Sequence, residues 1–232
     1  YDRFVNQGAV MGDSFGLENV LWFANNKEDA HEEPTIKRSR SHDYVSKEVI
    51  NVRENVGLIE VANFSKHEFK GPDARKFLDH IMAGRLPKPG RISLSPMLSY
   101  RGKLCGDLTV ACLDENEFMV FGSGAAQEMH RRWFESHLDK FNLSYSNRSD
   151  EYHGLSIAGP NSRKVLEKIV RDDVSNEKFK FRDSRRMFVG GVPAIINRIS
   201  FTGELGYEIY VAPHYQLKLY EELMEAGKEF NI

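Results

Sequence analysis

Two carboxylates, Asp107 and Glu208, hold the same place in two similar stretches, SYRGKLCGDLTV from Ser99 to Val110 and SFTGELGYEIYV from Ser200 to Val211. Aligned without a gap, the stretches share Ser, an aromatic, Gly, Leu, the acid, an aliphatic and Val. Each reads as a hairpin, two β-like runs around a Gly turn. A pair of carboxylates suits general acid/base work or the capture of paired N–H donors. Asp is disfavoured inside strands, and each acid sits next to aliphatics, Leu108 in one copy and Ile209 in the other. Alternation along a strand then points the acids away from the buried side and into whatever cleft the hairpins form. The competing reading is that Ser-aromatic-x-Gly-x-Leu is turn chemistry and the acids face solvent.

The elements that must position these acids also come twice. GPDARKFLDHI from Gly71 and GPNSRKVLEKI from Gly159 match at Gly, Pro, Arg, Lys, Leu and Ile, and both read as helices with Pro near the first turn. A short apolar strand precedes each, GLIEVANF and GLSIAG, and a second helix closes each copy. In AAQEMHRRWFESHLDKF the apolar face is Met129, Trp133, Phe134, Leu138 and Phe141; in PHYQLKLYEELMEAGKEF it is Leu217, Tyr220, Leu223, Met224 and Phe230. Each copy is therefore strand, helix, strand, strand, helix. The fold class expected is α+β, with duplicated split β-α-β units on antiparallel or mixed sheets around a pseudo-twofold axis. The domains expected are a connector over 1–43, a first repeat over 44–150 and a second over 151–232. The N-terminal 50 residues stand apart: NNKEDAHEEPTIKRSRSHD reads as a solvated loop, and SKEVINVRENVG as a helix leading into the first strand.

The 232 residues are 41% hydrophobic and 28% charged with a formal net charge of -2, ordinary globular composition that points to neither nucleic acid nor membrane. The basic run KRSRSH has acids on both sides and no interleaved aromatics. No apolar run approaches the length of a membrane helix, and YDRFVNQGAV lacks the regions of a signal peptide. The missing initiator Met and the unpunctuated end GKEFNI read as a processed or excised piece. Cys105 and Cys112 lie seven apart in one expected strand; odd spacing sends them to opposite faces, so no disulfide forms and a reducing compartment fits. His130 and His137 are too far apart to share an ion without a partner between them, so no metal is expected. Ser123, Ser156 and Ser162 lack a G-x-S-x-G setting.

SFTGELGYEIYVAP resembles the T-G-E-x-G-x-E segment of the folate-binding aminomethyltransferases, the T-protein family of glycine cleavage. GLIEVANFSKHEFKGPDARKFLDHI resembles that family's early strand-helix segment, and MLSYRGKLCGDLTV its second signature. The resemblance covers about residues 44–232. FGLENVLWFA resembles the segment joining flavin and folate domains in dimethylglycine and sarcosine dehydrogenases. No G-x-G-x-x-G follows a strand, so FAD is expected only in a missing partner domain or subunit, and the family's closing C-terminal barrel is also expected to be missing.

The resemblance implies a tetrahydrofolate site and capture of a one-carbon unit, released when an N-methyl amine is oxidised, to give 5,10-methylenetetrahydrofolate. It implies Glu208 as the pterin-binding acid, meeting a ring N–H and an exocyclic amino group with two parallel hydrogen bonds. It implies Asp107 as the catalytic or orienting acid beside the N10 end of the folate. On this reading one ancestral acid position, duplicated, grips opposite ends of one cofactor. Departures are Gly106-Asp107 where the family often has Asp-Asp, Leu94 where T-proteins often have Tyr, and a pterin-side Arg that falls beyond the last residue. Further cofactor candidates each carry a bland alternative: Met97 as core, Tyr100 as core together with Phe201, Arg198 as a surface ion pair rather than a glutamate-tail contact, and Glu204, paired with Lys103 across the copies, as a turn residue. Alternative functions are the aminomethyltransferase of glycine cleavage and a non-catalytic regulatory relative that retains the fold. Bacterial cytoplasm and mitochondrial matrix fit equally.

Overall fold

The computed structural model describes residues 1–14 and 16–232; Phe15, the first residue of FGLENVLWFA, lies outside the described residues. The chain divides into two compact units, Tyr1–Glu54 and Asn55–Ile232. Among the described residues no helix is long and apolar enough to cross a membrane.

The first unit contains a short helix α1 (Asp2–Asn6), an antiparallel hairpin of β1 (Ala9–Ser14) and β2 (Leu17–Phe23), and helix α2 (Ser41–Glu54). The expected helix and solvated loop are present, and the hairpin is an addition, since LENVLWF forms β2. Trp22 is buried with Val10 and Ala24, and the Tyr44 ring of α2 lies 5.0 Å from it. Asp29 fastens the intervening loop: it accepts from Tyr44 Oη at 2.6 Å and from Arg40 Nη1 at 2.7 Å. These bonds hold the Asp29 carboxyl down at about 2.

In the second unit the order is β3 (Gly57–Glu60), β4 (Ser65–Lys70), α3 (Ala74–Ile81), β5 (Arg91–Leu98), β6 (Leu104–Asp114), β7 (Glu117–Gly122), α4 (Gln127–Glu135), β8 (Ser144–Asn147), β9 (His153–Ala158), α5 (Ser162–Ile169), β10 (Ser184–Val189), β11 (Val192–Asn197), β12 (Gly206–Val211) and α6 (Gln216–Gly227). Two five-stranded antiparallel sheets run β5-β6-β7-β4-β8 and β10-β11-β12-β9-β3. The duplication is visible in these orders, strand for strand. It is also reciprocal: β3, which opens the first copy, is the edge strand of the second sheet, and β8, which opens the second copy, is the edge strand of the first.

Three apolar clusters place the layers. Helices α3 and α4 cover one sheet through Phe77, Leu78 and Phe134. Helices α5 and α6 cover the other through Val165, Leu166, Leu219 and Leu223. The third cluster joins Ala111, Met119 and Phe121 of the first sheet to Ile195 and Tyr210 of the second, so the sheets meet face to face between the helical layers. Phe121 and Tyr210 hold equivalent places in β7 and β12, opposite Lys66 and Gly154 in the ladders. Their rings stack on each other at 4.6 Å, as a pseudo-twofold axis requires. At the rim of the same interface Glu117 takes Arg186 of the opposite sheet at 2.7 Å and Lys70 at 2.9 Å.

Several sequence expectations change. Each copy contains two more strands than expected, β4 and β7 in the first and β8 and β10 in the second. The strand that leads into Gly71-Pro is β4, SKHEFK, which is buried along five of its six residues despite its polar sequence; GLIE forms the exchanged strand instead. The two gapless hairpins are not structural equivalents. Ser99–Val110 lies between β5 and β6, the first pair of its sheet, whereas Ser200–Val211 lies between β11 and β12, the second pair. By ladder position Asp107 matches Pro193, and Glu208 matches Met119. Cys105 and Cys112 do not face opposite ways: register slips between Met97 and Leu98, and the bulge turns Cys105 toward the same cluster as Cys112. Both thiols are free. On α4 Met129 is exposed and His130 is buried in its stead; α4 ends at Glu135, so His137, expected in the same helix as His130, lies beyond it. On α6 Leu219, rather than Leu217, joins Leu223 in the core.

Gly71 and Gly159, the matched helix leaders, both adopt positive φ, +135° and +126°. A Cβ on Gly71 would stand 2.8 Å from Leu143 Cα, whereas Gly102, at φ +70°, has nothing within 4 Å. Gly71→Ala is therefore expected to destabilise the fold by about 3 kcal/mol or more, and Gly102→Ala by about 1 kcal/mol. Chemical denaturation midpoints of the two variants check the order.

Candidate functional site

Alternation along β6 and β12 sorts their side chains. Leu108, Val110 and Cys112 enter one helix-side core, and Tyr207, Ile209 and Val211 the other. Asp107 and Glu208 take the intervening positions and share the sheet-facing sides with Ala111 and Tyr210. The expectation that both acids leave the aliphatic side is met, although they stand on non-equivalent strands.

Their surroundings differ sharply. Asp107 is exposed, opposite Pro96 in the β5–β6 ladder, with exposed Leu94 on the same face. Glu208 is 6% exposed. Its Oε2 accepts a hydrogen bond from Tyr210 Oη at 2.8 Å. Burial dominates this bond and pushes the Glu208 carboxyl up to about 7, because removal from water penalises the charged form. The effect is self-reinforcing, for burial and the adjacent acid raise Tyr210 too. One acid is thus an open, solvated carboxylate; the other is a nearly enclosed group that changes charge near neutrality, the behaviour common in ligand and proton-transfer sites.

A polar row runs through Glu208 across four strands. Ser184 pairs with Asn197, Asn197 with Glu208, and Glu208 with Ser156, and all four residues are buried. Sequence reasoning missed Asn197 and Tyr210. An Asn ending an apolar strand, VPAIIN, was the available signal for the first; Tyr210 follows from Glu208 two residues earlier on the same face. Lys66 on β4 was also missed. It is fully buried on the sheet-facing side, donating to Ala62 O at 2.6 Å, and burial brings its amine down to about 8.

The remaining candidates stand apart from the two acids. Met97 is fully buried in the helix-side core, on the opposite face of its sheet from Asp107. Tyr100 and Phe201 are 85% and 90% exposed at the hairpin turns, not in the core; Tyr100 Oη bonds His137 Nε2 at 2.8 Å. Arg198 does not make a surface ion pair. It is buried and donates to Phe179 O and, at 2.6 Å, to Asn176 Oδ1, which fixes it as a brace for the loop before β10. Glu204 sits in the turn before β12, its N–H bonded to Thr202 Oγ1 at 3.3 Å. Among the described residues no group of three or more His, Cys, Asp or Glu is arranged to hold a metal.

Comparison with known proteins places this arrangement. Mitochondrial dimethylglycine dehydrogenase of Mus musculus is 35% identical over 225 residues, which is 96% of this chain and 26% of that protein. Sarcosine oxidase subunit alpha of Rhizobium meliloti (strain 1021) is 32% identical over 240 residues, 100% of this chain and 23% of that protein. The chain therefore spans about a quarter of the length of these curated relatives. Among solved structures, the glycine cleavage system aminomethyltransferase T from Bartonella henselae superposes with a TM-score of 0.79 at 21% identity, covering 97% of this chain and 55% of that one, and so shares the fold. The family profile described as the GCVT N-terminal domain matches residues 1–232. With one such domain filling the sequence and the two-sheet T-protein architecture beneath it, the chain belongs to the GCVT N-terminal domain family.

Proposed function

We propose that this chain is the tetrahydrofolate-binding part of an enzyme of the dimethylglycine dehydrogenase or sarcosine oxidase kind, receiving the one-carbon unit of an oxidised N-methyl amine. Similarity to such proteins along 96% or more of the chain supports it. The observation that carries it is Glu208, a carboxyl enclosed between two sheets with one described hydrogen bond. Such a group is costly to bury unless something meets it, and a heterocycle edge with two adjacent N–H donors is its natural complement. The residues present therefore fit a pterin. Flavin chemistry is assigned to a partner domain or subunit.

When bound, tetrahydrofolate supplies the nitrogens that take up the one-carbon unit. Glu208 binds and orients the pterin end through its carboxylate. Tyr210 fixes the Glu208 carboxyl by occupying Oε2. Phe121, stacked on Tyr210, keeps water from that side. Asp107 faces the same inter-sheet side from the first sheet and, being exposed, is free to hold a proton at the attacking N10 nitrogen. Held orientation supplies much of the rate in a reaction between two bound partners.

Glu208→Gln is expected to weaken tetrahydrofolate binding by roughly a hundredfold, since it trades a charge-assisted pair for a weaker neutral one; anaerobic calorimetric titration measures this, and unchanged affinity overturns the assignment. Asp107→Asn is expected to leave binding and the fold intact while folate-dependent turnover of the N-methyl amine falls about a hundredfold or more.

The pH dependence has a definite sign. Glu208 holds its proton up to about 7, against an ordinary value of 4.5. Between these values the unfolded chain ionises first, so wild-type stability falls relative to Glu208→Gln as pH rises through this window and levels off above it. Ligand affinity that needs the carboxylate moves the other way, weakening about tenfold from pH 8 to pH 6 in wild type only. Denaturation and titration series over this range check both slopes.

A further inference from the structure

One buried amide in the second sheet is half-used. Asn197 is fully buried. Its Oδ1 accepts from Ser184 Oγ at 2.7 Å, while its Nδ2 has no hydrogen-bond partner among the described residues. Native proteins leave few buried donors without acceptors, because the lost hydration is not repaid. Asn197 is also the direct cross-strand neighbour of Glu208, and such neighbours share a face with Cβ atoms about 5 Å apart. An N–H donor without a partner among the described residues thus stands beside a carboxyl that, once ionised, accepts only.

Donor beside two acceptors is a specific pattern. A 2-amino-4-oxopyrimidine, the recognition edge of a pterin, presents a carbonyl acceptor at C4, then the N3–H donor, then the 2-amino donors. A carboxylate meets the last two and leaves the C4 carbonyl for a neighbouring donor. We propose that Asn197 is a specificity-determining residue of the site, its Nδ2–H donating to the 4-oxo group of a pterin whose N3–H and 2-amino group donate to Glu208. The inference rests on the folate reading above and deepens it, assigning a residue to the 4-position of the ring.

The role of Ser184 makes the choice one-sided. A lone hydroxyl at this place could donate or accept; with Oδ1 engaged by Ser184, it is the Nδ2 donors of the amide that remain without a partner among the described residues. A ligand with an amino group at C4 brings a donor against a donor, a mismatch that a buried polar site rejects far more strongly than a missing methyl group.

Anaerobic calorimetric titrations of tetrahydrofolate and of 4-amino-4-deoxytetrahydrofolate into the protein test this, alongside Asn197→Ala and Asn197→Asp, with circular dichroism confirming that the variants fold. Wild type is expected to prefer the 4-oxo ligand. In Asn197→Ala the ratio of the two Kd values falls about tenfold or more; the share of the preference due to Glu208 is common to both proteins and cancels. Asn197→Asp keeps an acceptor for Ser184 and replaces the donor with a second acceptor, so its ratio shifts in the same direction. If both ligands weaken in parallel and the ratio stays constant, Asn197 is only structural: this inference fails while the Glu208 assignment stands. If wild type binds no tetrahydrofolate, the proposed function is overturned and this inference with it.

Discussion

The face-to-face contact of the two sheets governs the second unit. Each sheet has one side under helices, and its other side rests on the opposite sheet through Phe121, Tyr210, Met119, Ala111 and Ile195. A strand buried on both faces cannot hide its polar groups at a solvent side, so every polar residue pointing inward must find a partner between the sheets. The Phe121–Tyr210 stack at 4.6 Å sits where the two copies touch through equivalent positions. From that contact follow the enclosure of Glu208, its retention of a proton near neutrality and the need for a donor such as Tyr210.

The inter-sheet space is graded from dry to wet. Around Tyr210 it is closed, and holding a charge on Glu208 there costs on the order of 3 kcal/mol relative to water. Toward β5 and β6 it opens, leaving Asp107 and Leu94 exposed. At its rim Arg186, Glu117, Lys70 and Glu68 form a chain of ion pairs joining one sheet to the other. Pairs whose cations stay about half exposed contribute little singly, but their opposite signs favour one lateral setting of the two sheets. Arg91 of β5, paired with the buried Asp183 beside β10, does the same at the corner where β5 meets β10, while Arg185 holds Asp183 from within its own sheet. Charge thus fixes the alignment that apolar packing alone leaves loose.

The legible parts of the sequence were those with a period or a turn. Both Gly-Pro helices, α2, and the strands around Asp107 and Glu208 follow from alternation and from positive-φ glycines, and the acids' common orientation came from the same alternation. SKHEFK was illegible because inward burial between sheets allows Lys66 and Glu68, and packing against helices allows His67, in a strand that composition marks as surface. The hairpin match misled for a related reason. Turn chemistry repeats wherever a Gly turn joins two strands, so SYRGKL and SFTGEL agree locally while occupying different rungs of their sheets. Arg198 looked like a surface charge; only the loop that wraps it, from Asn176 to Phe179, makes it internal. Asn197 and Tyr210 became visible only once cross-strand partners were known.

The exchange of edge strands has its own consequence. Because β3 completes the second sheet and β8 the first, neither copy can close its own sheet from its own chain segment. The arrangement is that of a swapped dimer whose two subunits have become one polypeptide. Its pairings span long sequence separations, so the halves must assemble together rather than one after the other, at the entropic expense of large loops and a slow search. A polypeptide emerging residue by residue would keep the first sheet short of a strand until β8 arrives, and β3 without a mate until β9 follows.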